Sequence, residues 1–463
     1  MEDITMRKIF QYIMLAVVTI VMASCTSDIE ETTATTSKNN VQLVVGEFPA
    51  FGDSQTRAVG TPDEGKTSWA EGDELLLEMT SKTFGTKYAT FKYNGSSWEL
   101  ASGELSYKID EVPTFPHVYY APNYKWEAGK LVLKEGKDPG TDEYIEGNAR
   151  ITGNGETITV SFAEATRNYS RLRIATMPNK QITVAFNNRY TPAGSSVNAI
   201  FPRYTLTSDE KGNAYLYGTF GQYCDFEVKY EGAPLASHTF YQAAENAKSY
   251  VLDATVISAN SAEEIKSAIA QEVANSKTAI RLNLASDAGD NEFKTIREAF
   301  KNVQDATIDL TLIGCKEIPA DGLNNQSGGL EALKSITLPD VTKIGKNALL
   351  FCVDLEEICA PNVSAIDEGA FAECYHLRKV TLGELTNVKG DYEHGDGIFG
   401  FDSHSIENID LELSEKQRIM TKELIDGRYC WTPTEEPYQR SNDHKSRSFL
   451  GMTFKSVKCG VEL

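Results

Sequence analysis

The hydrophobic and polar positions of this chain follow three different patterns in succession. From Val41 to Ile257, short β-branched or aromatic runs alternate with polar residues and are separated by Gly, Asn and Pro. Near Ser261 the apolar residues change to helical spacing, and from Leu333 they recur at a fixed interval. Short alternating runs between turn residues are typical of antiparallel strands. The first half is therefore predicted to be a β-sandwich or barrel.

The periodic segment repeats every 22 residues. Leu333, Leu355 and Leu377 occupy the same position in three successive units. Three further apolar columns keep the same offsets: Leu338/Ala360/Leu382, Val341/Val363/Leu385 and Ile344/Ile366/Val388. A unit of this length cannot bury its apolar edge alone, so neighbouring units must stack into a solenoid. A degenerate unit precedes them, and the polar run 391–397 lengthens the last unit.

The repeated units also share smaller features. They carry paired positions at Ala348-Leu349 and Ala370-Phe371, at Cys352 and Cys374, and at Pro339 and Pro361. With these residues the segment resembles the leucine-rich repeats of the BspA type. The resemblance implies a short leucine-rich repeat solenoid with a binding surface, and it leaves the ligand open because a fold does not define a function.

A helical segment lies between the two halves. Ser261 and Glu264 form a capping box, and Ile265, Ala268 and Ile269 follow at helical spacing. A strand over 279–284 and a second helix over 293–303 are predicted next. Since terminal repeats need atypical neighbours, we expect this α/β segment to cap the solenoid. At the far end of the chain, 428–431 and 449–457 are predicted to form a closing strand pair.

The N-terminus has the pattern of an export signal. A basic start at 6–8, an apolar stretch at 9–22 and Ala23-Ser24-Cys25 predict a lipoprotein signal peptide with lipid attached to Cys25. Translation can begin at Met1 or Met6. The acidic run 27–31 resembles the tag that directs some Gram-negative lipoproteins to the cell surface, although ordinary linker acidity is the alternative. We therefore expect an outer-membrane, lipid-anchored protein exposed at the cell surface.

Charge and cysteine content narrow the possible partners. The formal net charge of −21, from 66 acidic and 45 basic residues, argues against nucleic acid and anionic lipid headgroups. Of eight cysteines, Cys25 belongs to the export signal, and the remaining odd number does not predict a disulfide framework. Cys352 and Cys374 are expected to be packed thiols, with a bond between them as the alternative.

Several short motifs in the first half together carry one family resemblance. They are the arm 41–48, Gln55-Thr56-Arg57-Ala58, the motif at 69–73, the segment 88–91 with Trp98, the run 169–174, and Ala247-Lys248-Ser249-Tyr250. In these positions the chain resembles the fimbrillin family of Gram-negative pilus subunits, although Ala247 replaces the usual glycine. The resemblance implies two transthyretin-like β-sandwich subdomains.

The same resemblance gives Arg57 a possible role. It implies that a protease cuts after this arginine, that the N-terminal strand leaves, and that another fimbrial subunit supplies a replacement strand. The alternative is a solvated loop cation, and the sequence favours neither interpretation.

No catalytic motif is present, so we expect no enzyme activity and no cofactor. Asp391, Glu393 and Asp396, beside His394, carry oxygen ligands suited to a divalent cation. A solvated loop is the preferred interpretation. The aromatic residues at 119–126 are candidates for sugar stacking, but packing is favoured for them.

These predictions divide the chain into six parts: signal peptide 1–24, tether 25–40, sandwich 41–164, sandwich 165–257, helical linker and cap 258–305, and repeats with a C-terminal cap 306–463. The predicted function is that of a surface adhesin or accessory or tip fimbrial subunit, which binds a host or microbial ligand through its repeats. The alternative is a non-polymerising surface lipoprotein that captures glycan or host protein.

Overall fold

The computed structural model describes residues 41–49, 51, 66–108, 111–152, 156–162, 167–195, 202–303, 306–400, 406–438 and 447–460. Within these ranges the protein is mainly β, as predicted, with several sheets and two α-helices. Neither helix is long and apolar enough to cross a membrane. The predicted signal peptide and tether, including Cys25, lie outside the described residues, and so does Arg57.

Nine strands form the N-terminal region: β1 (Gln42–Val45), β2 (Glu74–Ser81), β3 (Gly85–Tyr93), β4 (Trp98–Gly103), β5 (Thr114–Tyr120), β6 (Tyr124–Glu127), β7 (Lys130–Leu133), β8 (Ile145–Thr152) and β9 (Thr157–Ser161). Seven of them close into a barrel in the order β1-β4-β3-β2-β5-β8-β9, while β6 and β7 form a separate hairpin. The closing strand is β1, which runs parallel to β9 and antiparallel to β4. A single closed sheet thus replaces the two open sheets that a sandwich would have.

Eight strands follow: β10 (Ser170–Ala175), β11 (Gln181–Phe186), β12 (Tyr190–Pro192), β13 (Arg203–Thr207), β14 (Asn213–Phe220), β15 (Cys224–Tyr230), β16 (Ala233–Phe240) and β17 (Ser249–Asp253). They form two four-stranded sheets, β12-β14-β10-β17 and β13-β11-β15-β16. Leu172 and Leu216 of one sheet and Val184 and Val228 of the other are buried in one core. This arrangement follows from the period-two alternation, which places every second side chain between the sheets.

The helical segment is close to its prediction. Helix α1 (Ala262–Ala274) begins at Ser261, whose side chain accepts a hydrogen bond from the backbone N–H of Glu264. Strand β19 (Ala279–Asn283) and helix α2 (Asp290–Phe300) follow, after the short strand β18 (Ile257–Ser258).

The C-terminal half contains a long parallel sheet. Its strands are β18, β19, β20 (Ile308–Ile313), β22 (Leu333–Thr337), β24 (Glu357–Ala360), β26 (Lys379–Leu382), β28 (Asp410–Leu413) and β33 (Ser456–Cys459). Ile336 pairs with Ile358, and Ile358 pairs with Val380, so strand pairing has the spacing of the sequence repeat. Leu333, Leu355 and Leu377 are buried, as the repeat predicts.

A second sheet runs along the other side of the repeated units. Its order is β21 (Glu317–Ile318), β23 (Lys343–Ile344), β25 (Ala365–Ile366), β27 (Asn387–Lys389), β30 (Arg428–Pro437) and β29 (Arg418–Ile425). The small hairpin β31 (Ser448–Phe449) and β32 (Met452–Thr453) lies near the C-terminus. The sequence suggested that 428–431 pairs with 449–457. That prediction is wrong, because β30 pairs with β29 and β33 joins the parallel sheet.

Candidate functional site

A cleft of about 750 Å³ lies between the two four-stranded sheets formed by β10 to β17 and the long parallel sheet. One wall consists of residues of β15, β16 and β17, and the other of residues from β19, β20, β22, β24, β26 and β28. This volume is within the range of about 300–1,000 Å³ that ligand pockets usually have, and pockets often form where two structural units meet.

Strand alternation decides which repeat residues reach the cleft. In β24, Ile358 is buried in the core, whereas Cys359 is half-buried and lines the cleft. The parallel register then places Thr337, Cys359, Thr381 and Glu412 in one row across four neighbouring strands. Adjacent strands lie about 4.8 Å apart, so the row is a polar ladder of regular spacing.

The charged side chains of the cleft are largely paired with one another. Lys379 Nζ lies 3.3 Å from Glu412 Oε2 on the repeat wall. On the opposite wall, Lys229 Nζ lies 3.6 Å from Glu227 Oε2. The Thr381 hydroxyl also donates a hydrogen bond to Glu412, at 2.9 Å.

Cys359 faces the cleft from the repeat wall. Burial raises the pKa of its thiol to about 12, and the opposing effect of Lys379 and Lys229 does not compensate. Because the thiolate is the reactive form, this cysteine is a neutral packing group at neutral pH rather than a nucleophile.

Direct contacts hold the two walls together. The Asn362 amide donates to the backbone oxygen of Glu231 at 3.0 Å, which links the repeats to the β15–β16 turn. At the other end of the cleft, Arg281 Nε donates to the backbone oxygen of Leu235 at 2.7 Å. The side chain of Ile313 is part of the core of the preceding sheets. The cleft therefore has a defined width.

Sequence reasoning did not identify this cleft, because its second wall comes from a different part of the chain. The repeat wall had a signal: Thr337, Cys359 and Thr381 recur at one offset beside the buried columns. Outward positions that are small and polar in every unit indicate a shared surface, but they do not indicate what lies opposite.

The N-terminal arm, which precedes Arg57, is held in place by a cluster of buried side chains. Two guanidinium groups contact the Phe51 ring, with the Arg167 and Arg171 Cζ atoms 4.0 and 4.8 Å from the ring centroid. Such cation–π contacts are strongest when they are desolvated, and both arginines are buried. The Trp69 indole N–H additionally donates to the backbone oxygen of Gly46 at 2.8 Å.

Arg167 also connects the arm to the barrel. Its guanidinium donates to the backbone oxygen of Pro49 and forms an ion pair of 3.1 Å with Glu143. The Tyr169 hydroxyl donates a further hydrogen bond to Glu143. Although burial opposes it, Glu143 raises the pKa of Arg167. Because Arg57 itself is not described, the structure does not test its cleavage.

The candidate cation ligands are arranged differently from a metal site. The Lys422 ammonium lies 3.0 Å from Asp391 Oδ2 and 2.8 Å from Glu393 Oε2. His394 Nδ1 lies 2.5 Å from the same Asp391 oxygen, and Asp396 accepts from the Asp391 backbone N–H. Among the described residues no cluster of three or more ligands is suited to a metal ion.

The expectation of a solvated loop is wrong for Asp391, whose side chain is only 1% exposed, and it holds for Glu393, at 70%. Burial would raise the pKa of Asp391. Hydrogen bonds from His394 and Lys422 outweigh that effect and hold the pKa below its ordinary value. A lysine supplied by β29 thus occupies the place between two carboxylates where a cation would bind.

The remaining candidates are packing residues. Tyr119 and Tyr124 are buried in a small cluster beneath the β6–β7 hairpin, and Trp126 packs against them. The predicted packing role of these aromatics is confirmed. Cys352 and Cys374 are free thiols, and their sulfurs contact the backbone oxygens of Leu323 and Leu349, each at 3.3 Å.

Comparison with protein-family profiles and with curated protein sequences finds no match. Among solved structures, a Bacteroides fragilis chain described as a candidate cell adhesion protein is 11% identical, with a TM-score of 0.25, over 46% of this chain and 92% of its own. The minor pilin of Streptococcus agalactiae is 10% identical, with a TM-score of 0.17, over 46% and 94%. Both similarities are too weak to define a shared fold or function.

Proposed function

We propose that this protein is a lipid-anchored surface adhesin or accessory or tip fimbrial subunit, and that it binds a host or microbial surface ligand with its repeat region. In this proposal the stacked 22-residue units are BspA-type leucine-rich repeats. The two preceding β regions are fimbrillin-like modules that divide near residue 164. The cleft on the repeat sheet is the single observation that carries the binding role, and no catalytic role is proposed.

An adhesion assay tests the binding role. Beads coated with the full chain should attach to a host or microbial cell surface, and filling the cleft with Thr337→Trp should abolish attachment. Thr342→Trp is the matched control, because Thr342 is exposed and lies outside the cleft. Equal attachment by both variants would show that the cleft is not the binding site.

Lipid anchoring at Cys25 forms a separate part of the proposal. Cys25→Ala should move the protein from the membrane fraction to the soluble fraction, since the thiol is the site of lipid attachment. Mass spectrometry of the mature N-terminus checks the processing. A membrane-bound Cys25→Ala protein with an intact Met6 terminus would contradict this assignment.

Strand addition to other fimbrial subunits is supported by the position of β1. This short strand closes the barrel and precedes Arg57, so its removal would leave the edges of β4 and β9 unpaired. An arginine-specific protease should cut the folded protein first after Arg57, and the product should bind a partner strand.

Resistance to cleavage at Arg57, or a cut product that stays monomeric with fimbrial subunits, would favour the second candidate. That candidate is a non-polymerising surface lipoprotein that captures glycan or host protein. N-terminal sequencing and size-exclusion chromatography provide the two measurements.

A further inference from the structure

We propose that the cleft takes a neutral, hydroxyl-rich ligand, namely a linear oligosaccharide, and that Thr337 and Ser237 bind it from opposite walls. This inference rests on the proposed binding role of the cleft and adds the chemical class of the ligand. Three observations support it: the balance of charge, the pairing of that charge, and the polar groups that remain unpaired.

The cleft is close to electrically balanced although the chain is strongly acidic. Six acidic and five basic side chains line it, against 66 and 45 in the whole sequence. Clefts that attract charged ligands are usually lined by one sign of charge, which concentrates the field. This cleft has no such excess and gives neither an anion nor a cation a net attraction.

The charged side chains of the cleft also have partners within the protein. Lys379 pairs with Glu412, and the Arg378 guanidinium lies 2.5 Å from Glu356 Oε2 and 3.7 Å from Glu357 Oε1. Arg281 and Asp309 have no ion pair within the described residues. Burial lowers the pKa of Arg281, and its Nε donates to the backbone oxygen of Leu235 at 2.7 Å. Asp309 accepts a hydrogen bond from the Ser335 hydroxyl at 2.6 Å. A charged ligand would therefore have to compete with the partners that these side chains already have.

The polar groups left with unused hydrogen-bonding capacity are neutral. The hydroxyls of Thr337 and Thr311 on the repeat wall, and of Ser237 on the opposite wall, have no hydrogen-bond partner among the described residues. A hydroxyl both donates and accepts, so these groups match the hydroxyls of a sugar. Ser237 pairs in register with Glu227, which places it on the same outward surface.

The spacing of the row argues against an extended peptide as the ligand. Thr311, Thr337 and Cys359 are register neighbours on adjacent strands, so the row advances by about 4.8 Å at each step. An extended peptide presents same-side groups only every ~6.6 Å, two residues of about 3.3 Å each. A peptide crossing the strands would also leave its backbone groups without sheet partners.

Isothermal titration of the full chain tests the ligand class. The probes are neutral linear hexasaccharides of glucose, mannose, galactose and N-acetylglucosamine, two anionic hexasaccharides (oligogalacturonate and heparin), and an uncharged ten-residue peptide. We expect at least one neutral hexasaccharide to bind with an affinity that does not change between about 50 and 500 mM salt, since screening affects only charged contacts. The anionic probes and the peptide should not bind.

Thr337→Val and Ser237→Ala should each weaken that binding by about five- to tenfold, the loss of roughly one hydrogen bond. Thr342→Val is the control and should bind normally. Thermal melting confirms that each variant is folded, and exposed Ser237 gives a second test if Thr337→Val is unstable.

Failure of all neutral hexasaccharides, or tighter binding of an anionic probe or of the peptide, would overturn the ligand class. These outcomes are distinct from failure of the adhesin role. Bead attachment that Thr337→Trp abolishes, without neutral oligosaccharide binding, would leave the adhesin role intact and exclude this ligand. Oligosaccharide binding without attachment to any cell surface would do the opposite.

Discussion

The barrel and the repeat region are held together by contacts of different separation along the chain. In the repeats, each unit is hydrogen-bonded to the next unit along the chain. The Leu338 N–H donates to the backbone oxygen of Cys359 at 2.7 Å, and the Leu349 N–H donates to that of Ala370 at 2.8 Å. In the barrel, the arm is held by Arg167, 118 residues away from its acceptor Pro49. Repeat stability is therefore shared among similar neighbours, whereas barrel closure depends on a few distant contacts. One substitution should consequently affect the two regions differently.

The largest expected effect is in the repeat core. Leu355→Asp would bury a carboxylate among apolar columns where Leu355 is fully buried. We expect a loss of more than about 4 kcal/mol, because no partner is available for the buried charge. Urea denaturation measures it. Asn387→Asp, at an exposed position, is the control and should change stability by less than about 0.5 kcal/mol. Similar stability of the two variants would contradict the stacking register.

The next largest effect is expected at the barrel. Arg167→Met removes one partner of a buried ion pair and leaves Glu143 uncompensated, at a cost of about 3–5 kcal/mol. The double variant Arg167→Met/Glu143→Gln should recover part of that loss. A double-mutant cycle in urea measures the coupling. Additive losses would show that the pair does not act as a unit.

Phe51→Ala should sharpen the comparison, because its effect is expected to be confined to the arm. Removing the ring that both guanidinium groups contact should cost about 3 kcal/mol. Hydrogen exchange should then accelerate in β1 but not in β24 or β26. Val44→Ala, at a position 44% exposed, is the control. Faster exchange throughout the repeats would show that the two regions unfold together.

The smallest effect concerns Asp391, which joins a repeat loop to β29. Because its folded-state pKa is lowered, its ionised form stabilises the protein fully above about pH 4, the ordinary value. That contribution is lost as the pH falls through the folded-state value. Asp391→Asn should therefore destabilise by about 1–2 kcal/mol at pH 7 and progressively less in acid. A stability difference that does not vary with pH would contradict this role.

Sequence patterns predicted where the helices and repeats lie better than which strands pair with one another. The capping box located α1 because a helix start is a local hydrogen-bonding problem that Ser261 and Glu264 solve. The apolar columns located the repeat core because their spacing alone brings equivalent residues together. The pairing of 428–431 was predicted wrongly, since strand pairing is a choice among distant segments and β29 has only one buried position.

The amino-acid sequence by itself determined the mainly β composition, the 22-residue stacking and the packing role of the aromatic residues. These features follow from local spacing and burial. Only the tertiary structure decided that β1 closes the barrel, that Lys422 lies between Asp391 and Glu393, and that β15 and β16 face the repeat sheet across a cleft. Each of these depends on contacts between segments that are far apart along the chain, and hydrophobic periodicity contains no information about which distant segments meet.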